Sequence, residues 1–179
     1  MQPRRPSPFR PIVLGLFLFG LAACGFQPLY GDRGVRSVSS DELAAVQIDL
    51  IRDREGQMLR NELLDRFQPA GGAVKPLYGL SVALQTSRAA LGIRTDETAS
   101  RANLTILASY VVRDIATGAV LFQGQGRSIN GFDILDSDFA TTSSEADAIR
   151  RAVYDLSEQI TTRVSIALAK YKTAKTARP

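Results

Sequence analysis

The chain has 179 residues, with 22 basic side chains, 18 acidic side chains, one cysteine and no histidine. This length is that of one ordinary domain preceded by a short targeting segment. A single cysteine excludes a disulfide within the chain, and a cysteine nucleophile would lack the histidine that commonly activates it.

The first 23 residues have the layout of an export signal. Arg4, Arg5 and Arg10 precede residues 12–23, which are all apolar or glycine. This run of 12 residues is shorter than the roughly 20 that a membrane-spanning helix needs, and a basic stretch before a short apolar stretch is typical of a signal peptide. Without the three arginines, 19 basic and 18 acidic residues remain, so no strong positive charge points to a nucleic-acid partner.

The cysteine follows directly. Leu21-Ala22-Ala23-Cys24 resembles the lipobox of bacterial lipoproteins, in which the cysteine becomes the first residue of the mature chain and carries S-diacylglycerol and an N-acyl group. The next residue, Gly25, differs from the aspartate of a common inner-membrane retention signal, which favours the outer membrane. The alternative is an unmodified cysteine beside an ordinary cleavage site.

Residues 24–44 contain proline, glycine and serine, which predicts a lipidated N-terminus followed by an extended linker or a segment that covers the domain. Val46, Ile48 and Leu50 alternate with polar residues and predict a half-buried strand. Large apolar residues at helical spacing then predict an amphipathic helix over 53–67, ended by the proline and two glycines that follow it.

Three further stretches alternate as strands: 77–88, 102–114 and 118–127. Their short connections favour antiparallel hairpins. The apolar residues predicted to face inward are Tyr78, Leu80, Val82, Leu84, Leu104, Ile106, Ala108, Tyr110, Val112, Val120 and Phe122.

Residues 129–141 lack a clear period and are predicted to form a loop, with short extended pieces within it as an alternative. Thr142-Ser143-Ser144-Glu145 matches a capping box and predicts a helix start. One apolar stripe follows, formed by Ile149, Val153, Leu156, Ile160, Val164, Ala167 and Tyr171. The folded domain is therefore predicted to cover 45–171. Residues 172–179 are predicted to form a basic, flexible tail, with binding to anionic head groups as an alternative.

The order strand, helix, three strands, helix predicts an α+β fold. Both apolar helix stripes are buried if the helices pack on one face of a single sheet. We therefore expect a two-layer sandwich with a mostly antiparallel four-stranded sheet. The other sheet face is predicted to be more polar and open to solvent or to a partner.

Three stretches carry a family resemblance: "CGFQPLYG" from residue 24, "GIRTDETASRANLTILASYVVRD" from residue 92 and "FATTSSEADAIRRAVYDLSEQI" from residue 139. In order and spacing they resemble the LPS-assembly lipoprotein family LptE, in its alphaproteobacterial form. The resemblance implies the same four-stranded sheet with two helices and a non-enzymatic role. It also implies a place in the lumen of the outer-membrane barrel LptD, help in assembling that barrel, and binding of lipopolysaccharide.

If lipopolysaccharide is bound, cationic side chains are expected near its phosphate groups. Arginine suits this role because its planar guanidinium can donate hydrogen bonds to two phosphate oxygens at once. Arg88, Arg94 and Arg101 flank the predicted hairpin turn and are the candidate ligands. The alternative is a solvated edge balanced by Asp96 and Glu97.

Other clusters point less clearly to chemistry. Asp133, Asp136 and Asp138 share one segment but lack the glycine and glutamate spacing of a calcium loop, so we expect no metal. No nucleophile and base pair and no phosphate loop is recognised, so we expect neither an enzyme nor a cofactor beyond the covalent lipid. Phe132 and Phe139 are each compatible with the core or with a partner anchor.

Arg150 and Arg151 are adjacent and cannot share one helix face, so one of them is predicted to lie toward the sheet edge or a partner. The runner-up function is a lipid-anchored periplasmic subunit of an ABC-type lipid transporter.

Overall fold

The computed structural model describes residues 40–68, 74–93 and 99–176. The signal segment, Cys24, most of the linker, residues 69–73, residues 94–98 and the last three residues lie outside this part. The described helices are α1 Ser40–Ala44, α2 Asp53–Phe67 and α3 Asp138–Thr176, and the strands are β1 Val46–Ile48, β2 Tyr78–Ile93, β3 Ala99–Asp114 and β4 Val120–Asp133.

The four strands form one sheet in the order β1-β2-β3-β4. The short β1 pairs parallel with the start of β2, whereas β2, β3 and β4 pair antiparallel along almost their whole length. Strands β2 and β3 have 16 residues each, so their hairpin is about 50 Å long. The predicted α+β fold with a mostly antiparallel four-stranded sheet is confirmed.

The core lies between the sheet and the helices. The predicted alternation in β3 is confirmed, because its inward-facing residues from Leu104 to Val112 are all at most 1% exposed. Helix α2 contributes Leu59, Leu63 and Phe67, each fully buried. Helix α3 contributes a stripe of fully or almost fully buried residues: Ala148, Ala152, Val153, Leu156, Ser157, Ile160, Val164 and Leu168.

Strand β4 contributes fewer large side chains to the core than β3 does, because two of its inward-facing positions are glycines. A Cβ atom on Gly124 would lie 2.7 Å from the Tyr110 hydroxyl, and one on Gly126 would lie 3.1 Å from Cδ2 of Leu156. The space is thus occupied by a β3 ring and an α3 leucine. Ser128, which is also buried, donates to the Asp155 carboxylate at 2.9 Å.

The predicted loop over 129–141 is wrong, apart from the extended pieces that the prediction allowed. Residues 129–133 continue β4, and α3 begins at Asp138. The alternation is weak here because Asn130 faces inward, whereas Ile129 on the opposite face is 50% exposed. Phe132 is buried in the core at 7% exposure, whereas Phe139 is 84% exposed, which settles the placement that the sequence left open.

The capping box is also wrong, because α3 begins four residues before Thr142. The Thr142 hydroxyl instead donates to the Asp138 carbonyl oxygen at 2.8 Å. Ser144 accepts a hydrogen bond from the Asp133 backbone N–H at 3.2 Å, and Glu145 pairs with Arg88. These side chains fasten the first turns of α3 to β4 and β2.

Two apolar residues do not face inward as predicted. Strand β1 ends at Ile48, so Leu50 is 80% exposed and Ile51 is buried in its place. A register shift between Val112 and Arg113 places Val120 opposite Arg113, where its side chain is 50% exposed.

The predicted extended linker and the predicted flexible tail both contain helix. Residues 40–44 of the predicted extended linker form α1. Helix α3 continues through residues 172–176 of the predicted tail, where the Lys172 ammonium group pairs with the Glu42 carboxylate. None of the helices in the described ranges combines the length and apolarity of a membrane span.

Candidate interaction surfaces

One face of the sheet is free of helices in the described structure. The register places Ser81, Val111 and Gln123 side by side, and likewise Ala83, Ser109 and Gln125. These residues alternate with the buried ones, so they lie on the face opposite α3. We call this surface the open face. It consists of Gly79, Ser81, Ala83, Gln85, Ser87 and Ala89 on β2, Asn103, Thr105, Leu107, Ser109 and Val111 on β3, and Gln123, Gln125, Arg127 and Ile129 on β4.

The central part of this side of the sheet, defined above as the open face, has one charged side chain, Arg127. Toward the ends of the strands, Arg101, Asp133 and Arg113 lie on the same side of the sheet. A depression of 770 Å³ lies on the open face, lined in part by Ser81, Ser109, Gln123 and Gln125. Small hydroxyl and amide groups of this kind can exchange hydrogen bonds with water or with another polar wall at little cost in desolvation.

The two long edges of the sheet differ. Three side chains of α3 donate to carbonyl oxygens on the outer edge of β4: Arg163 to Gln125 at 2.6 Å, Gln159 to Arg127 at 3.2 Å and Arg151 to Gly131 at 3.1 Å. An edge strand with occupied carbonyls is a poor template for pairing with another chain. The β4 edge is therefore closed. On the opposite edge of the described sheet, β2 beyond Leu80 has no strand on the side away from β3.

Arg151 fulfils the expectation that one of the paired arginines turns toward the sheet edge. Its guanidinium also pairs with Asp147, and Arg150 binds the other oxygen of the same carboxylate at 2.9 Å. Of the three α3 donors, sequence reasoning anticipated only this one. Gln159 and Arg163 are indistinguishable from ordinary exposed helix residues by spacing alone.

The structure separates the two candidate phosphate ligands that it describes. Arg88 lies on the helix side of β2 and pairs with Glu145, whereas Arg101 lies on the opposite face and pairs with Asp133 at 3.1 Å. Both side chains are about half exposed or more. Arg94 and the predicted counter-charges Asp96 and Glu97 lie outside the described residues. The described arginines do not meet in one cluster, and an anion at either would compete with a carboxylate.

The aspartates predicted to share one acidic segment, Asp133, Asp136 and Asp138, do not form a metal-binding group in the described structure. Asp133 is engaged by Arg101, and no group of three potential metal-ligating side chains is found within the described residues. Asp155 accepts the Ser128 hydrogen bond and Glu158 is exposed.

These features define the class of the protein as a two-layer α+β sandwich with one uncovered, polar sheet face. Three solved structures share the fold. A Caulobacter crescentus protein assigned as a lipoprotein is 23% identical over 76% of this chain and 96% of its own, with a TM-score of 0.58. A minor lipoprotein from Acinetobacter baumannii is 14% identical over 68% and 91%, with a TM-score of 0.53. Rare lipoprotein B from Shewanella oneidensis is 9% identical over 71% and 98%, with a TM-score of 0.54.

The family follows from the sequence itself. The profile of LptE, described as lipopolysaccharide-assembly, matches residues 43–164, which is more than half of the chain. The chain belongs to the LptE family of lipopolysaccharide-assembly lipoproteins. A search of curated protein sequences gives no match.

Proposed function

We propose that this protein is anchored to the outer membrane by lipid on Cys24 and sits as a plug in the lumen of the β-barrel LptD. In this role it helps to assemble the barrel and takes part in inserting lipopolysaccharide into the outer leaflet. The role is structural and requires no catalytic group or cofactor. Family membership supports the general role, and the open face is the observation that carries the specific one.

The physical argument starts from the barrel. A barrel of many strands leaves a lumen too wide for its own side chains to fill, and the inward-facing residues of outer-membrane barrels are polar. A plug therefore needs a surface that is polar and compatible with a wet interface. The open face presents serine, threonine, asparagine and glutamine with a single arginine, between a few alanine and aliphatic side chains. Its hydroxyl and amide groups suit such a wall without requiring a matched set of charges.

Co-purification tests this proposal. Mature, lipidated protein isolated from its own membrane is expected to bring with it a large outer-membrane β-barrel. Recovery with inner-membrane ATPase components alone would contradict the plug and favour a transporter subunit.

Lipopolysaccharide binding by the hairpin is a separate part of the proposal. We expect Arg94→Ala with Arg101→Ala to weaken lipopolysaccharide binding at least about tenfold, because a hydrogen bond to a charged group contributes about 1.5–3 kcal/mol. Direct titration of the purified protein with lipopolysaccharide measures the affinity.

The matched control is Arg54→Ala with Arg127→Ala, which removes the same charge from exposed positions on α2 and on the middle of β4. Equal affinities for the hairpin variant and the unaltered protein would remove these arginines from the binding site. Equal losses in both variants would indicate attraction by overall charge.

A further inference from the structure

Exposed aliphatic residues gather where β2 begins and β3 ends. Val74 is 45% exposed, Leu77 52%, Ile115 48% and Val120 50%. Backbone hydrogen bonds hold three of them together: the Ile115 N–H donates to the Leu77 carbonyl at 3.0 Å, and the Asp114 N–H donates to the Ala119 carbonyl, next to Val120, at 2.9 Å. We call these four residues, together with the cations described next, the basal surface.

Basic side chains surround this apolar group. Lys172 and Lys175 line one depression of 590 Å³ together with Val74 and Leu77. Lys170 borders a neighbouring depression that contains Ile166, itself 51% exposed. The remaining cations of the basal surface are Lys75, beside Val74, and Arg113, opposite Val120.

Carboxylates balance only part of this charge. Glu42 pairs with Lys172. Asp114 accepts hydrogen bonds from the backbone N–H groups of Thr117 at 3.0 Å and Ala116 at 2.9 Å, and the Thr117 bond in particular holds the pKa of Asp114 below its ordinary value. Five cations thus face two carboxylates, and the surface keeps a net positive charge.

The chain enters the described domain at this same end. Helix α1 is fixed here through Glu42, and the Ala45 carbonyl accepts the N–H of Leu77 at 2.8 Å. Cys24 lies 16 residues before Ser40, and so short a segment spans at most about 55 Å even when fully extended. If Cys24 carries lipid, as proposed above, the segment that follows the anchor joins the described domain at Ser40, at the end that carries the basal surface.

We propose that the basal surface docks on the surface of a bilayer that contains anionic phospholipid. Exposed aliphatic groups enter the head-group boundary while lysines around them meet lipid phosphates. The apolar and basic residues are both needed, since a purely basic patch would be attracted without inserting. The argument from chain length rests on lipidation of Cys24, but the contact itself needs no covalent lipid.

Vesicle binding without the anchor tests this docking. The chain from residue 24 with Cys24→Ser is mixed with vesicles of phosphatidylglycerol and phosphatidylcholine, and with vesicles of phosphatidylcholine alone. Binding is expected only to the anionic vesicles and is expected to weaken as salt is added. Lys170→Gln with Lys175→Gln should weaken it about 30-fold, since each lysine near an anionic surface contributes about fivefold. Leu77→Ser with Val120→Ser should also weaken it at unchanged charge.

Two control pairs separate this surface from general effects. Arg54→Gln with Arg150→Gln removes the same charge elsewhere, and Leu50→Ser with Leu135→Ser removes two exposed leucines elsewhere. Both pairs should leave binding within about twofold of the unaltered protein. Equal binding to both kinds of vesicle, no binding to either, or equal losses in test and control variants would overturn the proposal. None of these results bears on whether lipidated protein co-purifies with a barrel. The docking proposal and the proposed plug function can therefore fail independently.

Discussion

Replacing Cys24 with serine is expected to move nearly all of the protein from the outer-membrane fraction to the soluble periplasmic fraction. The physical reason is the size of the anchor: each buried methylene group contributes about 0.8 kcal/mol, so one acyl chain exchanges readily whereas several chains hold a protein firmly. The basal surface alone should leave only weak binding that added salt removes.

Cell fractionation followed by mass measurement of the mature chain checks this expectation. The matched control is Gly25→Ser, which changes the neighbouring residue and keeps the cysteine. An unchanged membrane fraction in Cys24→Ser, with no lipid mass on the unaltered chain, would show that the protein reaches the membrane by another route.

Leu156→Ala is expected to lower the free energy of unfolding by about 2–5 kcal/mol, the usual range for a fully buried leucine. Leu156 is completely buried at the centre of α3, and its Cδ2 atom occupies the space above Gly126 that a β4 side chain would otherwise fill. Because glycine cannot expand into the cavity, we expect little relaxation around it. Chemical denaturation followed by circular dichroism measures the change.

Phe139→Ala is the matched control for this core position. The deleted side chain is larger, but Phe139 is 84% exposed, so the stability should change by less than about 0.5 kcal/mol. A small effect of Leu156→Ala, or an equally large effect of Phe139→Ala, would contradict the packing described here.

Most of the fold could be predicted from the sequence where one period dominates. Strand β3 alternates cleanly because it is central and buries one face against α3. Helix α3 shows its stripe because it covers the sheet along much of its length. In both elements the large apolar residues recur in the sequence with the same period as the positions that face the core.

The prediction failed at the end of β4, over residues 129–133. Asn130 faces inward there, whereas Ile129 on the opposite face is 50% exposed. Apolar alternation therefore does not mark this part of the strand. The capping box failed because Ser144 and Glu145 bind β4 and β2 instead of starting a helix.

The surfaces were only partly predictable. A polar sheet face follows from alternation, and the lysines near the end of the chain suggested anionic partners. Their grouping with Leu77 and Val120 depends on a parallel β1–β2 pair and a register shift in β4, and neither is encoded in local spacing. The arginines chosen as phosphate ligands stay a prediction, with the two described ones each paired to a carboxylate.

Site-specific photo-crosslinking in cells tests the central claim most directly. A crosslinking residue at Ser109 or at Gln125, which are register partners on the open face, should form an adduct with a large outer-membrane β-barrel protein. Adducts formed only with inner-membrane ATPase components, or no protein adduct from either position, would contradict the account.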